Sequence, residues 1–198
     1  LIDNPDDGLL RVAGGITQAA LTAPSTELSV GGNFAQRGTF TANSGKLIIN
    51  GTGNQMISGS TTNSSIFSNA FYDLTIRNNT SGATTTIASN ASTTNNFSIT
   101  APNARVEFMP RATSTFQNMT ITGTAGSEIY LHRFASTTPE PSTIQWGIHV
   151  PGTRTITYAN IKDSNACSVD ANIDVSDTTS INGGNNTCTT FGGYKVDI

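Results

Sequence analysis

Charged residues are scarce in this sequence: they make up 12% of its 198 residues, against roughly 25% in ordinary globular proteins. The 10 Lys and Arg residues form no run, and the net charge of −3 argues against a nucleic-acid partner. No stretch approaches the ~18 apolar residues of a membrane span. Motifs for nucleotide, zinc or dinucleotide binding and for a catalytic nucleophile are also lacking. We therefore expect no nucleic-acid partner, membrane span, cofactor or metal ion, and no enzymatic activity.

Hydrophobic residues are also few, at 35%, and Thr, Ser, Asn and 19 Gly take their place. Disordered chains can have such a composition, but they usually carry high net charge and few β-branched residues. Here the net charge is small, and Ile, Val and Thr are plentiful. Period-2 alternation recurs along the chain, while helix-period segments are nearly absent. The sequence therefore predicts an all-β protein with many tight turns.

One sequence pattern occurs three times, as an aromatic residue, two spacers, an aliphatic residue and a polar one. Its copies are Phe71–Ile76, Phe116–Ile121 and 158–162, and their offsets are 116 − 71 = 45 and 158 − 116 = 42. A period of about 20 to 50 residues is typical of solenoids and arrays. We therefore predict a parallel β-solenoid whose turns have about 21 residues, half of the long repeat. An antiparallel β-sandwich or barrel remains the alternative.

Alternation also predicts which side chains face the core. The residues predicted to point inward are Val106, Phe108, Ile129, Leu131, Ile144, Trp146, Ile148 and Val150. Segments 58–69 and 136–142 lack this alternation, and we predict that they are loops projecting from the turns. Asn and Thr side chains on successive turns are expected to form hydrogen-bonded ladders.

The only two cysteines, Cys167 and Cys188, are separated by the length of one predicted turn (188 − 167 = 21). Neighbouring strands are about 4.8 Å apart, within the reach of a disulfide. We predict this disulfide and with it an oxidising, extracellular setting; two free buried thiols are the alternative. The start at Leu1 rather than Met is what removal of a signal peptide, or excision from a larger protein, would leave.

The predicted domain organisation has three parts: an N-terminal arm or cap over 1–22, a β-solenoid over 23–191 and a C-terminal strand over 192–198. Within the first part, 16–21 is predicted to be a short helix that caps the first turn. Neither end shows a strong polar cap, and the ends of a solenoid are open edges that must be capped or paired. Contacts between subunits are therefore predicted at Leu9, Leu10 and Val12, or at Tyr194, Val196 and Ile198.

Two stretches resemble the repeat phrase of large secreted surface proteins known mostly from uncultured bacterial genomes: 38–45 (GTFTANSG) and 49–59 (INGTGNQMISG). The residues 162–167, followed by Asp177 and 182–188, are similar to a block in the same proteins. The resemblance covers most of 28–191 and does not extend to 1–25. It implies a right-handed β-helix and an adhesin-like role at the cell surface, with no catalytic residues to carry over.

Two groups of side chains could carry chemistry. Asp163, Asp170, Asp174 and Asp177 could supply oxygen ligands to Ca²⁺, but neither an EF-hand nor a nonapeptide calcium repeat is present, and Asp is an ordinary turn residue. Glu107, Glu128 and His132 are predicted to share an outward face, as the paired carboxylates of a glycosidase or lyase would. Arg105 is expected beside Glu128 as a weak surface ion pair, and such residues are equally common as plain ladder pairs.

The function that this pattern favours is structural. We expect a secreted subunit that joins copies of itself into an extracellular filament at the cell surface, through head-to-tail or strand-donating contacts. The alternative is a monomeric adhesin module of a larger protein, with surface glycans as its partner. A polysaccharide-active enzyme is the third class, and it would depend on Glu107 and Glu128.

Overall fold

The computed structural model describes residues 2–3, 9–12, 16–59, 70–135, 141–167, 173–175 and 177–192, with the backbone alone at 2–20 and 36–38. The described residues form strands and no helix, which confirms the all-β prediction. None of them therefore lies in a helix that could cross a membrane. The strands are β1 (Ile2–Asp3), β2 (Leu9–Val12), β3 (Ile16–Thr22), β4 (Glu27–Val30), β5 (Phe34–Thr41), β6 (Lys46–Ile49), β7 (Gln55–Ser58), β8 (Phe71–Ile76), β9 (Thr85–Ile87), β10 (Ser92–Ile99), β11 (Arg105–Phe108), β12 (Thr113–Thr122), β13 (Ile129–Arg133), β14 (Trp146–His149), β15 (Arg154–Thr157), β16 (Ala159–Ile161), β17 (Ser164–Asn165), β18 (Ile173–Val175), β19 (Ile181–Asn182) and β20 (Thr189–Phe191).

Two sheets contain nearly all of these strands. The ten-stranded sheet has the order β1-β2-β4-β6-β8-β10-β12-β14-β17, with β15 also paired to β12. The eight-stranded sheet has the order β19-β16-β13-β11-β9-β7-β5-β3, and β18 pairs with β20 separately. From β2 to β14 the chain alternates between the two sheets. Every described strand pair except β1–β2 is parallel, so an antiparallel sandwich does not describe this chain.

Paired residues on neighbouring strands are separated along the sequence by numbers close to the predicted repeat of about 21 residues. Leu28 pairs with Leu47 (47 − 28 = 19), and Phe97 pairs with Met119 (119 − 97 = 22). The distance is larger between Ile57 and its partner Ile87 (87 − 57 = 30). The predicted loop 58–69 lies in this longer interval, and of that loop 60–69 are outside the described part. Most of the second predicted loop, over 136–140, lies outside it as well.

The repeated pattern has a structural counterpart in two of its three copies. Phe71–Ile76 is β8, and the second copy lies in β12 of the same sheet, with β10 between them. The offset between these two copies therefore spans two strand-to-strand steps. The third copy was wrongly assigned, because 158–162 falls on and around β16 of the eight-stranded sheet. Its aromatic residue, Tyr158, has a positive φ of 49° and precedes the strand.

The buried apolar side chains of the described residues form one core between the two sheets, and aromatic side chains fill part of it. Phe34, Phe40 and Phe71 make edge-on contacts with centroid separations of 5.3 to 5.8 Å. Phe108 stacks on Trp146 at 4.1 Å. Each fully buried side chain of this size contributes roughly 1.5–3 kcal/mol. All the residues predicted to point inward are buried except Ile144, which is half-buried ahead of β14.

The predicted helical cap at 16–21 is wrong, because this segment belongs to strand β3. Ile16 pairs with Phe34 and Leu21 with Phe40, in a parallel ladder to β5. Ala19 and Ala20 favour a helix locally. The ladder nevertheless satisfies backbone groups along the segment, and it depends on β5, a strand further along the chain, which local propensity does not register.

The turn before β6 shows why the sequence carries Asn, Ser and Gly in this order. Asn43 and Ser44 have positive φ values of 51° and 56°. A Cβ atom on Gly45 would lie 2.0 Å from the carbonyl oxygen of Pro24, so only glycine fits there. The residues 43–45 therefore form a tight turn in which the chain passes close to the backbone of Pro24.

Candidate assembly edges and polar sites

The N-terminal residues predicted to mediate assembly lie in β2. The backbone of Leu9, Leu10 and Val12 pairs in parallel with β4, and the other side of β2 meets β1, where Ile2 pairs with Val12. All four residues of β2 therefore pair with β4 on one side, and two of them pair with β1 on the other side. The C-terminal candidates Tyr194, Val196 and Ile198 lie outside the described residues.

A more open edge lies in β3, most of which was predicted to be helical. Strand β3 is seven residues long and ends the eight-stranded sheet. Within the part of the chain that the structure describes, it pairs with β5 alone. A long edge strand with unpaired N–H and C=O groups is a template for pairing with another chain. The β-branched residues Ile16, Thr17 and Thr22 were the sequence signal for it.

The direction of the backbone groups in β3 follows from one hydrogen bond. Ala23 donates its N–H to the carbonyl oxygen of Thr41 at 2.8 Å, which is the β5 side. Successive residues of a strand direct their N–H groups to opposite sides. The N–H of Thr22 therefore points to the open side, and the Thr22 side chain is exposed.

The opposite end of the same sheet is β19, a strand of two residues paired to β16. Ile181 in β19 is 41% exposed, although it is a large apolar side chain. The eight-stranded sheet thus ends in a long strand on one side and in a short, partly apolar strand on the other.

The predicted disulfide between Cys167 and Cys188 is present, with Cα atoms 5.1 Å apart and a sequence separation of 21 residues. It lies beside the β18–β20 pair, where Ile173 donates its N–H to the carbonyl oxygen of Cys188. Cys188 packs on the core, whereas Cys167 is exposed. A disulfide of this kind fits an oxidising compartment.

Arg105, Glu107, Tyr130, His132 and Asn160 form an outer-face cluster on the eight-stranded sheet. The Arg105 guanidinium lies 4.7 Å from the centre of the Tyr130 ring, and the Tyr130 and His132 rings meet edge-on at 5.5 Å. The His132 Nε2 atom is 3.1 Å from the Asn160 Oδ1 atom, so the neutral tautomer protonated on Nε2 donates this hydrogen bond. The cluster combines charged groups, a ring face and amide groups on one surface.

Partial burial shifts two pKa values in this cluster. It raises the pKa of Glu107 above its usual value, and the nearby Arg105 charge opposes the shift. It lowers the pKa of His132, which the hydrogen bond with Asn160 opposes. In both cases burial favours the uncharged form.

The predicted grouping of Glu107, Glu128 and His132 is found only in part. Glu107 pairs in register with His132. Glu128 precedes β13, and its carboxylate accepts the N–H of Gly126 at 3.1 Å. Arg105 is aligned with Tyr130, beyond the Glu128 position that was expected.

The acidic residues considered for calcium have other partners. Asp163 is buried and accepts a hydrogen bond from the Asn185 side chain at 2.8 Å, while Arg133 lies 3.7 Å from its second oxygen. Asp177 accepts hydrogen bonds from Thr179. Asp174 is exposed, and Asp170 lies outside the described residues. Across the described ranges, no three His, Cys, Asp or Glu side chains are grouped closely enough to hold a metal ion.

No protein-family model, no curated protein and no solved structure matches this chain.

Proposed function

We propose that this chain is a secreted β-solenoid subunit that polymerises into an extracellular filament at the cell surface. The observation that carries this proposal is the outer edge of β3, seven residues long at one end of a parallel sheet, which no other described strand covers. A second copy that places a strand against this edge extends the sheet by backbone hydrogen bonds, which is β-augmentation.

The alternation of strands between two parallel sheets supports the solenoid, because each turn then adds one strand to each sheet. The two ends of the eight-stranded sheet differ, since β3 is long and β19 is short with the exposed Ile181. A contact between different ends is heterologous, and a heterologous contact that does not close produces a fibre. The Cys167–Cys188 disulfide fits assembly outside the cell.

The substitution Thr22→Pro tests directly whether the edge of β3 pairs with a second copy of the chain. Proline removes the N–H that points to the open side and leaves the ladder to β5 intact, and proline is tolerated on edge strands. Thr22→Val is the matched control, because it keeps the N–H and a β-branched side chain. We expect fibres for the wild type and Thr22→Val, and monomers for Thr22→Pro, by negative-stain electron microscopy and light scattering.

Deletion of 1–15 or of 194–198 tests the terminal segments in the same way. Either deletion is expected to leave a monomer if the removed segment supplies the strand that pairs with a neighbour. If Thr22→Pro and both truncated chains still form fibres, edge pairing is not the mechanism. Wild-type chains that remain short monomeric rods at high concentration would contradict the filament itself.

The outer-face cluster favours a second candidate, a monomeric adhesin module that holds glycan on the sheet surface. Tyr130 and Arg105 present an aromatic ring and a cation beside the amide of Asn160. This candidate predicts a stable monomer with saturable glycan binding that Tyr130→Ala weakens. Binding unchanged by Tyr130→Ala would rule out the cluster as its site.

A further inference from the structure

Eight Asn residues of this chain begin the pattern Asn-X-Ser/Thr, with X other than Pro, which marks an acceptor for N-linked glycan. They are Asn50, Asn63, Asn78, Asn79, Asn90, Asn96, Asn118 and Asn185. A chain this rich in Asn, Ser and Thr contains many such patterns by chance, so the pattern alone selects none of them. All but Asn63 lie in the part of the chain that the structure describes, where their side-chain contacts distinguish them.

Six of the seven described side chains make hydrogen bonds within the fold. The bonded partners are Ser29 for Asn50, Gly53 for Asn78, Thr113 for Asn90, Thr120 for Asn96, Asn95 and Thr153 for Asn118, and Ser142 and Asp163 for Asn185. In every case except Asn90 the side-chain amide nitrogen, the atom that would carry a sugar, is a donor. A sugar attached there would crowd or break a hydrogen bond that holds the fold.

The side chain of Asn79 is exposed and makes no hydrogen bond with any residue that the structure describes. It lies in the loop between β8 and β9, and the next two residues of its pattern, Thr80 and Ser81, are exposed as well. The preceding residue anchors this loop: Asn78 is buried, donates to the carbonyl oxygen of Gly53 at 2.7 Å and accepts the N–H of Thr80 at 3.3 Å. The fold therefore holds the loop through Asn78 and leaves the Asn79 amide available.

We propose that Asn79 is the acceptor of an N-linked oligosaccharide in the folded chain. The donor is an oligosaccharide carried on a lipid diphosphate, and an oligosaccharyltransferase of the cell catalyses the transfer. The Asn79 Nδ2 atom forms a bond to C1 of the first sugar, the bond from C1 to the diphosphate oxygen breaks, and the lipid diphosphate and one amide proton are released. Strands β8 and β9 are interior strands of their sheets, so a glycan on this loop leaves the terminal strands β3 and β19 clear. The proposal rests on the export of the chain in the proposed function, and not on filament formation.

Transfer of the oligosaccharide to the purified, folded full chain tests this site. The enzyme is an oligosaccharyltransferase that modifies a synthetic peptide spanning 76–84, and mass spectrometry of glycopeptides locates the sugar. We expect modification of Asn79 to exceed that of each hydrogen-bonded Asn by at least about tenfold, because those bonds must break first. Peptides that span the other patterns show which sequences the enzyme accepts without the fold. A folded chain that is not modified at Asn79, or is modified equally at Asn79 and Asn118, would overturn the proposal.

Variants of Ser81 test the pattern without touching the acceptor. Ser81→Ala removes the hydroxyl that the pattern requires and should abolish modification of Asn79, whereas Ser81→Thr keeps a hydroxyl and should retain it. Thr52→Ala is the matched control, because it removes the pattern at Asn50 from another exposed position and should leave modification of Asn79 unchanged. Modification that persists in Ser81→Ala would place the sugar on the neighbouring Asn78 pattern and contradict the proposal. Electron microscopy of the modified chain reports assembly separately.

Discussion

The hydroxyl groups of Thr75 and Ser98 lie 2.8 Å apart and share a hydrogen bond between β8 and β10. They sit in register, so the bond is a rung between neighbouring strands. Thr85 has the same chemistry in a different setting: it is fully buried, and its hydroxyl has no hydrogen-bond partner among the described residues. The same residue type thus carries a satisfied hydroxyl at one site and an unsatisfied one at the other.

The two threonines therefore predict opposite effects of one substitution. Thr85→Val removes a buried polar group without a partner and is expected to raise the free energy of unfolding by about 1 kcal/mol or more. Thr75→Val leaves Ser98 without its partner and is expected to lower it by about 1 kcal/mol. Urea unfolding followed by circular dichroism measures both. Destabilisation by Thr85→Val would mean that its hydroxyl has a partner, such as a buried water.

Gln55 is a buried polar side chain that makes three hydrogen bonds to the backbone. It is 3% exposed, accepts the N–H of Gly51 at 2.7 Å, and donates to the carbonyl oxygens of Val30 and Gly32 at 3.1 and 2.7 Å. Gln55→Leu keeps much of the volume and removes the partner of the Gly51 N–H and of the Gly32 carbonyl oxygen, while the Val30 carbonyl oxygen still accepts the N–H of Asn50. We expect it to cost about 2 kcal/mol or more, at about 1–3 kcal/mol for each group left unsatisfied.

The adjacent residue supplies the control for Gln55. Met56 is 42% exposed, so Met56→Leu is expected to change the unfolding free energy by less than about 0.5 kcal/mol. Equal effects of Gln55→Leu and Met56→Leu on the urea midpoint would contradict the role assigned to the Gln55 hydrogen bonds.

The disulfide closes a loop with a sequence separation of 21 residues, and its loss has a defined expected cost. In the chain-entropy model, a loop of this length contributes about 3 kcal/mol to stability. Reductant should therefore lower the urea midpoint of the wild type and leave the Cys167→Ser/Cys188→Ser double variant unchanged. The reduced wild type and the double variant should then unfold at similar urea midpoints. A wild-type midpoint that does not change on complete reduction would contradict a stabilising role of the disulfide.

The local alternation of residue types predicted that the chain forms strands. It did not predict every strand or the sheet to which each strand belongs. Gln55–Ser58 and Arg105–Phe108 bury alternate side chains, as strands with one buried face do, whereas Lys46–Ile49 buries three successive residues. Strand β3 was not predicted because it pairs with β5, a strand further along the chain, about which helix propensity carries no information. The third copy of the repeated pattern was misplaced for a related reason: the same residue types suit either sheet.

The candidate sites were harder to predict than the strands. Glu107 and His132 were correctly placed on one face, but the register that aligns Arg105 with Tyr130 rather than with Glu128 could not be read from the sequence.

His132 and Glu107 predict a pH dependence of stability whose two parts have opposite signs. The pKa of His132 is lowered from 6.5 by burial, so the unfolded chain binds the proton more readily. Its contribution is complete above pH 6.5 and is lost as the pH falls through 6.5 towards the folded-state pKa. The pKa of Glu107 is raised from 4.5, so its contribution is complete below pH 4.5 and is lost as the pH rises towards the raised value.

Single variants separate the two contributions, because each removes one titrating group. Between pH 7.5 and 5.5, the urea midpoint of His132→Gln should fall less than that of the wild type, since glutamine can still donate to Asn160 but does not titrate. The urea midpoint of Glu107→Gln should still fall between pH 7.5 and 5.5, because His132 is retained. This variant should lose only the decrease in stability that Glu107 contributes as the pH rises above 4.5. The charges that face these groups, Arg105, Lys162 and Asp163, remain in both variants and cancel in the comparison. If His132→Gln shows the same pH profile as the wild type, the burial of the imidazole does not control stability in this range.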